Sequence, residues 1–290
     1  MTHTKIAAAF LAVGLTMVRA QAQDVVSYAV DTTVKLTSDL RTRGTSDSNN
    51  KPAARATVEA AHESGLIALA EFSSVSTKQF PGKYGLGVLA AGGYRFGDPD
   101  AWHFGAGLGR EFFPGSRFVA PHDFDLGAGE PTNFRSGDYN STFAILEVNY
   151  GALEGRVVDV ISNRYRGADT GSVCGTMLGL MADPTRALEC YARGDHGSRG
   201  TLLFDLDYKY PLNGTTSLIL HGGYQKVRNF KEANLRDLRV GITHSAWGFE
   251  WSADWVGTWD PVRELYLVPD GSGLRATDNN KVIASVSRKF

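Results

Sequence analysis

Charged side chains fall at every second position along several stretches of the chain, and both signs are present. Asp31, Lys35, Asp39 and Arg41 share one side of the stretch 28–41, with Tyr28, Val30, Thr32, Val34, Leu36 and Leu40 on the other. Asp205, Asp207 and Lys209 likewise oppose Leu202, Phe204, Leu206, Tyr208 and Tyr210. A period of two puts alternate residues on opposite faces of a β-strand. The same side logic collects Arg55, Glu59 and Glu71, then Arg95 and Glu111, then Asp237 and Arg239, and finally Glu250, Asp254, Asp260 and Lys281. The chemistry open to such a set is to hold water and dissolved solutes. Rings of charge lining a passage set ion and solute preference, and the plainer alternative is that the charges pair and brace a wall.

A second cluster, Arg41, Arg43 and Lys51, would form a basic constriction or an anion site at an outer mouth. The structural alternative, with Asp39 paired to Arg41 or Arg55, is preferred. Catalytic chemistry finds no motif. The chain has no Gly-x-Ser-x-Gly elbow and no His-Glu-x-x-His, and Gly105-Ala106-Gly107-Leu108-Gly109 lacks nucleotide-fingerprint spacing. His62, His103, His221 and His244 have no evident nucleophile partner, so no enzyme, metal site or cofactor is expected. Asp270-Gly271-Ser272-Gly273 followed by Asp278 reads as a flexible acidic loop in preference to a calcium loop.

The elements that would position these residues are strands. Twelve are read, and the segments joining them run long, short, medium, short, long, short, long, short, medium, short, long. The faces of the seventh strand, near Glu154 to Arg164, are not assignable, and 114–137 reads as a loop rich in Pro, Gly and Asp. The longest irregular segment, 165–199, holds Cys174 and Cys190, expected to form a disulfide, and a short helix within Met177–Tyr191 broken by Pro184. Short turns on one side, long loops on the other and an even strand count are the signature of a transmembrane barrel. The expected fold is therefore all-β, an antiparallel transmembrane β-barrel of 12 strands.

The termini agree. Residues 1–22, with Lys5, an apolar run and Ala20-Gln21-Ala22, read as a cleaved secretory signal, leaving 23–290 as a single barrel domain. The last stretch alternates Val282, Ala284 and Val286 with Lys281, Ser285 and Ser287 and ends on Phe290, an aromatic suited to the interfacial girdle and to the barrel-assembly machinery. Arg288 falls on the apolar side. Removing the signal takes away Lys5 and Arg19 and no acid, which tilts 30 basic against 31 acidic residues further toward negative and excludes nucleic acid as a partner.

The stretch Ser38-Asp39-Leu40-Arg41-Thr42-Arg43-Gly44-Thr45-Ser46, with Asn50-Lys51-Pro52-Ala53 and His62-Glu63-Ser64-Gly65, resembles the TorF-like putative porins. Leu40 and Thr42 stand where that family has aromatics, and Glu71 and Ser74 depart from its third-strand pattern. The resemblance implies an outer-membrane barrel of porin type with its substrate unassigned. The expected partners are outer-membrane lipid and small solutes or ions, in a passage that is narrow at twelve strands. The alternative is a non-conducting surface or structural barrel whose long loops bind a partner.

Overall fold

The computed structural model describes residues 28–98, 101–271 and 273–290. The export signal read over 1–22 lies outside them, as do Pro99 and Asp100 of one turn and Ser272 of the acidic loop. Twelve strands close into one barrel in which every neighbouring pair is antiparallel. They are β1 Tyr28–Thr37, β2 Ala53–His62, β3 Leu66–Ser74, β4 Leu86–Gly97, β5 Trp102–Phe112 and β6 Ser141–Tyr150, followed by β7 Leu153–Val160, β8 Leu202–Pro211, β9 Thr216–Lys226, β10 Leu235–Ala246, β11 Phe249–Trp259 and β12 Lys281–Lys289. The first and last strands seal the sheet, with Lys35 opposite Ser287 and Leu36 opposite Val286. Closure leaves no strand edge unpaired, which is the condition for a sheet to sit in lipid.

The outer surface carries the apolar half of the alternation. Leu108, Leu146 and Val282 are each at least 60% exposed, a poor arrangement in water and a favourable one in hydrocarbon. Exposed Tyr94, Phe96, Trp102, Tyr150, Tyr210 and Trp247 gather at the end of the short turns, and Phe72, Tyr84 and Trp259 near the opposite end, as interfacial girdles require. Arg288 lies among the first group, its guanidinium 5.4 Å from the Phe249 ring and 5.1 Å from that of Phe290. A cation stacked on two girdle aromatics explains its place on the apolar side. No helix among the described residues is long and apolar enough to cross a membrane.

Two loops are more ordered than the sequence predicts. Within 113–140, Phe118–Asp125 and Glu130–Gly137 pair as a hairpin outside the barrel sheet. Proline and glycine content masked it, because Pro121 and Pro131 both sit inside its strands. The segment after β7 forms α1 Thr170–Leu180 and α2 Thr185–Tyr191, where one short helix is predicted. Asp169 caps α1 reciprocally with Ser172, a capping box that starts the helix well before Met177, and Pro184 separates the two helices.

Cys174 and Cys190 join these helices, with Cα atoms 5.5 Å apart. The bridge sits in a small apolar core where Met177, Ala187 and Tyr191 meet Val227 and Phe230 of the loop after β9 and Val262 of the loop after β11. Three outer loops are thereby packed into one cap. Reduction is expected to cost this cap about 3 kcal/mol, the loop-closure value for a bridge of separation 16. The check is proteolysis with and without reductant. Cleavage within 170–191 should accelerate while the heat-modifiable gel mobility of the barrel is unchanged.

Candidate functional site: a chamber roofed by the first outer loop

The first strand stops at Thr37, so Asp39 and Arg41 lie beyond it and not on it as the alternation predicts. Residues 38–52 instead form a loop held together by Asp39, whose side chain is wholly buried. The Asp39 carboxylate accepts from Ser46 Oγ at 2.5 Å, Ser48 Oγ at 3.0 Å and Arg41 Nε at 2.9 Å. Lys281 Nζ stands 3.7 Å away. Charge-assisted bonds of this kind are strong enough to fix a loop of left-handed residues, here Arg43, Gly44, Asn49 and Asn50.

The loop then crosses the barrel interior. Arg43 binds Asp205 on β8 with both terminal nitrogens, at 2.9 and 2.7 Å. The Gly44 carbonyl accepts from Thr258 Oγ1 on β11 at 3.0 Å. A Cβ at Gly44 would strike Thr258 Oγ1 and come within 2.8 Å of Asp237 Cβ, and φ there is +73°, so no other residue suits the position. Arg41 also donates to the Asn279 and Gly44 carbonyls, each at 2.7 Å. At the far side Arg166 clamps Asp47 at 3.0 and 2.8 Å and Glu111 at 3.0 and 3.2 Å, with its guanidinium 5.2 Å from the Phe80 ring and 5.3 Å from that of Phe113. Burial opposes a charge there, but the two carboxylates hold Arg166 well above its ordinary pKa.

Beneath this roof lies a chamber of about 680 Å³. Its walls place most of the sequence-predicted charges in pairs. Arg55 meets Glu71 at 3.1 Å, Arg95 meets Glu59 at 3.2 Å and Glu147 at 3.5 Å, and Arg239 meets Asp254 at 3.8 Å. Nearer the short-turn end, Lys209 stands 3.6 Å from Glu250 and Asp31 2.8 Å from Lys289. Asp207 and Asp237 grip His221 from both ring nitrogens, at 2.9 and 3.0 Å. Lys35 differs from all of these. It lines the chamber with no carboxylate within ion-pair distance among the described residues. Lys51 is exposed and takes no part in the Arg41 and Arg43 contacts, so the expected outer-mouth basic cluster is two paired arginines and a solvated lysine.

Three features go beyond the sequence reading. Arg166 and Asp47, in segments without alternation, were not legible as a pair. β7 resolves as Glu154, Arg156 and Val158 facing inward, with Arg156 bound to Glu147 and Glu154 at 3.2 Å each. The interior also has an apolar strip, Ile67, Leu69, Leu89, Phe143, Ile145 and Leu203, on strands where apolar residues occupy both faces. His62 also contacts a hydroxyl, Ser64 Oγ at 2.8 Å, contrary to expectation. The Ser64 N–H donates to the same nitrogen, so the contact is a local turn in which one ring atom serves both groups.

Next to the roof, Asp260 at the start of the loop after β11 lies beside the Asp278 carboxylate. Burial and the neighbouring Asp278 carboxylate push Asp260 up to about 6 from an ordinary 3.8. A raised carboxyl contributes stability that is full below pH about 4 and is lost as pH rises through 6. Exchange protection of 261–271, corrected for intrinsic rate, should fall between pH 4 and pH 7, and Asp260→Asn should flatten that dependence.

Closed strands, an apolar girdled exterior and a charged interior chamber define a transmembrane β-barrel. The chain belongs to a bacterial protein family of unknown function, Gcw_chp, whose pattern matches residues 21–290. Among solved structures it is similar to the KdgM porin in complex with disordered oligogalacturonate, at 8% identity and a TM-score of 0.45, covering 90% of this chain and 98% of that one. The NanC porin is similar at 9% identity and 0.44, covering 89% and 98%. An outer membrane channel from Pseudomonas putida F1 gives 11% identity and 0.39, covering 93% and 100%. No curated protein sequence matches the chain.

Proposed function

We propose that the protein is an exported outer-membrane channel of porin type, passing ions or small solutes by diffusion through a passage constricted by its first outer loop. The observation that carries this reading is the chamber itself: about 680 Å³ of space inside a closed barrel, lined by charges of both signs. Buried space in a structural barrel would be filled by side chains, as in eight-stranded barrels. Here Gly93, Gly105 and Gly107 face inward instead. Passage requires no catalytic step. The resemblance to TorF-like porins agrees with this reading, in which Phe290, its N–H bonded to the Thr32 carbonyl at 2.8 Å, would be the residue offered to the barrel-assembly machinery.

The second reading, a non-conducting barrel that binds a partner through its loops, draws on the roof and on the outer hairpin, where Val119, Leu126 and Phe134 are at least 60% exposed. Swelling of liposomes containing the refolded mature chain separates the two. Influx of small amino acids and monosaccharides with exclusion of oligosaccharides supports the channel. Absence of swelling for every solute, with the barrel folded, supports the binding role.

A further inference from the structure

The chamber has two unlike walls. One is apolar and flat: Ile67, Leu69, Leu89 and Ile145 flank Gly93 and Gly107, which line the chamber as well. A Cβ at Gly93 would lie 2.6 Å from the Ala106 carbonyl and 3.0 Å from Gly107 Cα, so no side chain can rise there. The other wall carries Lys35, Arg55 and Arg239. The charges acting on the Lys35 ammonium are Asp254 and Glu250 of opposite sign and Arg239 and Arg55 of like sign.

The signs do not cancel locally, because the acids are already engaged. Asp254 accepts from Ser252 at 2.9 Å, Glu71 takes Arg55 and Ser73, and Glu250 faces Lys209. Oδ1 of Asp237 is buried without a donor, but Oδ2 takes His221. The cations are less satisfied. Lys35 has no carboxylate within reach, and Arg239 Nε is buried without a hydrogen bond, its carboxylate standing at 3.8 Å. Lys35 is partly buried and without a counter-ion, and the part of the Arg239 guanidinium that reaches the chamber is only loosely paired, so both have charge left to offer an anion.

We infer that the chamber is a binding site for a small organic anion with an apolar body, a carboxylate carried on a hydrocarbon or aromatic frame. Its carboxylate meets Lys35 and Arg239 while the frame lies on the strip of Ile67, Leu69 and Ile145. This rests on the channel reading, in which such a solute is selected as it passes beneath the roof. A fully hydrophilic solute gains nothing from the strip, and an organic cation is opposed by the unpaired ammonium.

The test is the KCl current through the refolded mature chain in a planar bilayer, titrated with phenylacetate, acetate or benzylammonium. Phenylacetate should reduce the current saturably and at concentrations at least about tenfold below acetate, and benzylammonium should not saturate. Lys35→Met should weaken the phenylacetate effect, read as the fraction of that variant's own open current that is blocked, roughly tenfold, the scale of one charge-assisted hydrogen bond. Leu69→Asn should weaken phenylacetate and leave acetate unchanged. Equal effects of phenylacetate and acetate, a stronger effect of benzylammonium, or indifference to Lys35→Met overturns the inference. A folded barrel with no KCl current overturns the channel reading instead, and calorimetry then decides the site alone. Saturable phenylacetate heat lost in Lys35→Met supports it, and no heat overturns it.

Discussion

Replacing residues 41–50 by two glycines is expected to raise single-channel conductance roughly threefold or more, the change from a blocked to an open twelve-stranded lumen. The loop leaves the wall between β1 and β2, yet Arg43 is bound to β8, close to diametrically opposite in the strand order. It therefore spans the interior and does not hug one side. Its tip is seated on β11 through the Gly44 carbonyl, and Gly44→Val, which cannot fit against Thr258 and Asp237, should displace the tip and give an intermediate increase. Arg43→Ala frees one anchor and uncovers Asp205, so it should also shift preference toward cations. Conductance unchanged by the deletion would mean that ions bypass the loop.

The largest stability effect is expected from Arg166→Met. The guanidinium pairs with two carboxylates, Asp47 and Glu111, and neither has another cation at ion-pair distance among the described residues. Removing one partner of a buried pair leaves uncompensated charge and costs about 3–5 kcal/mol. Urea titration of the folded barrel in detergent should show that loss. Adding Asp47→Asn and Glu111→Gln should recover most of it, since the triple variant buries no lone charge. A single variant as stable as the parent would contradict the clamp.

Alternation made the strands and their number legible because a wall between lipid and water imposes period two on every strand that separates them. The charged positions on that period, from Lys35 and Arg55 to Asp254, were legible for the same reason. The disulfide followed from two cysteines in one irregular loop of a chain whose first residues read as an export signal. The pattern failed where the physics changed. After Thr37 the chain leaves the wall, so Asp39 and Arg41 keep the period for two residues without being in the strand. On β3 and β6 the interior is itself apolar, which removes the contrast that assigns faces. The Arg166 clamp joins Asp47 and Glu111 across separations of 119 and 55 residues, which no local pattern encodes. The outer hairpin was hidden because its prolines lie in a two-stranded ribbon, where edge positions tolerate the missing N–H.

If solutes cross the membrane through the chamber beneath the first loop, a group attached to its wall must change the current. The direct measurement is single-channel recording of Lys35→Cys during addition of a charged methanethiosulfonate, with Val34→Cys as the lipid-facing comparison. Discrete conductance steps are expected in both variants, with a stepwise fall on modification of Lys35→Cys and none for Val34→Cys. Channels that conduct but ignore modification at position 35, or a folded barrel that never conducts, would contradict it.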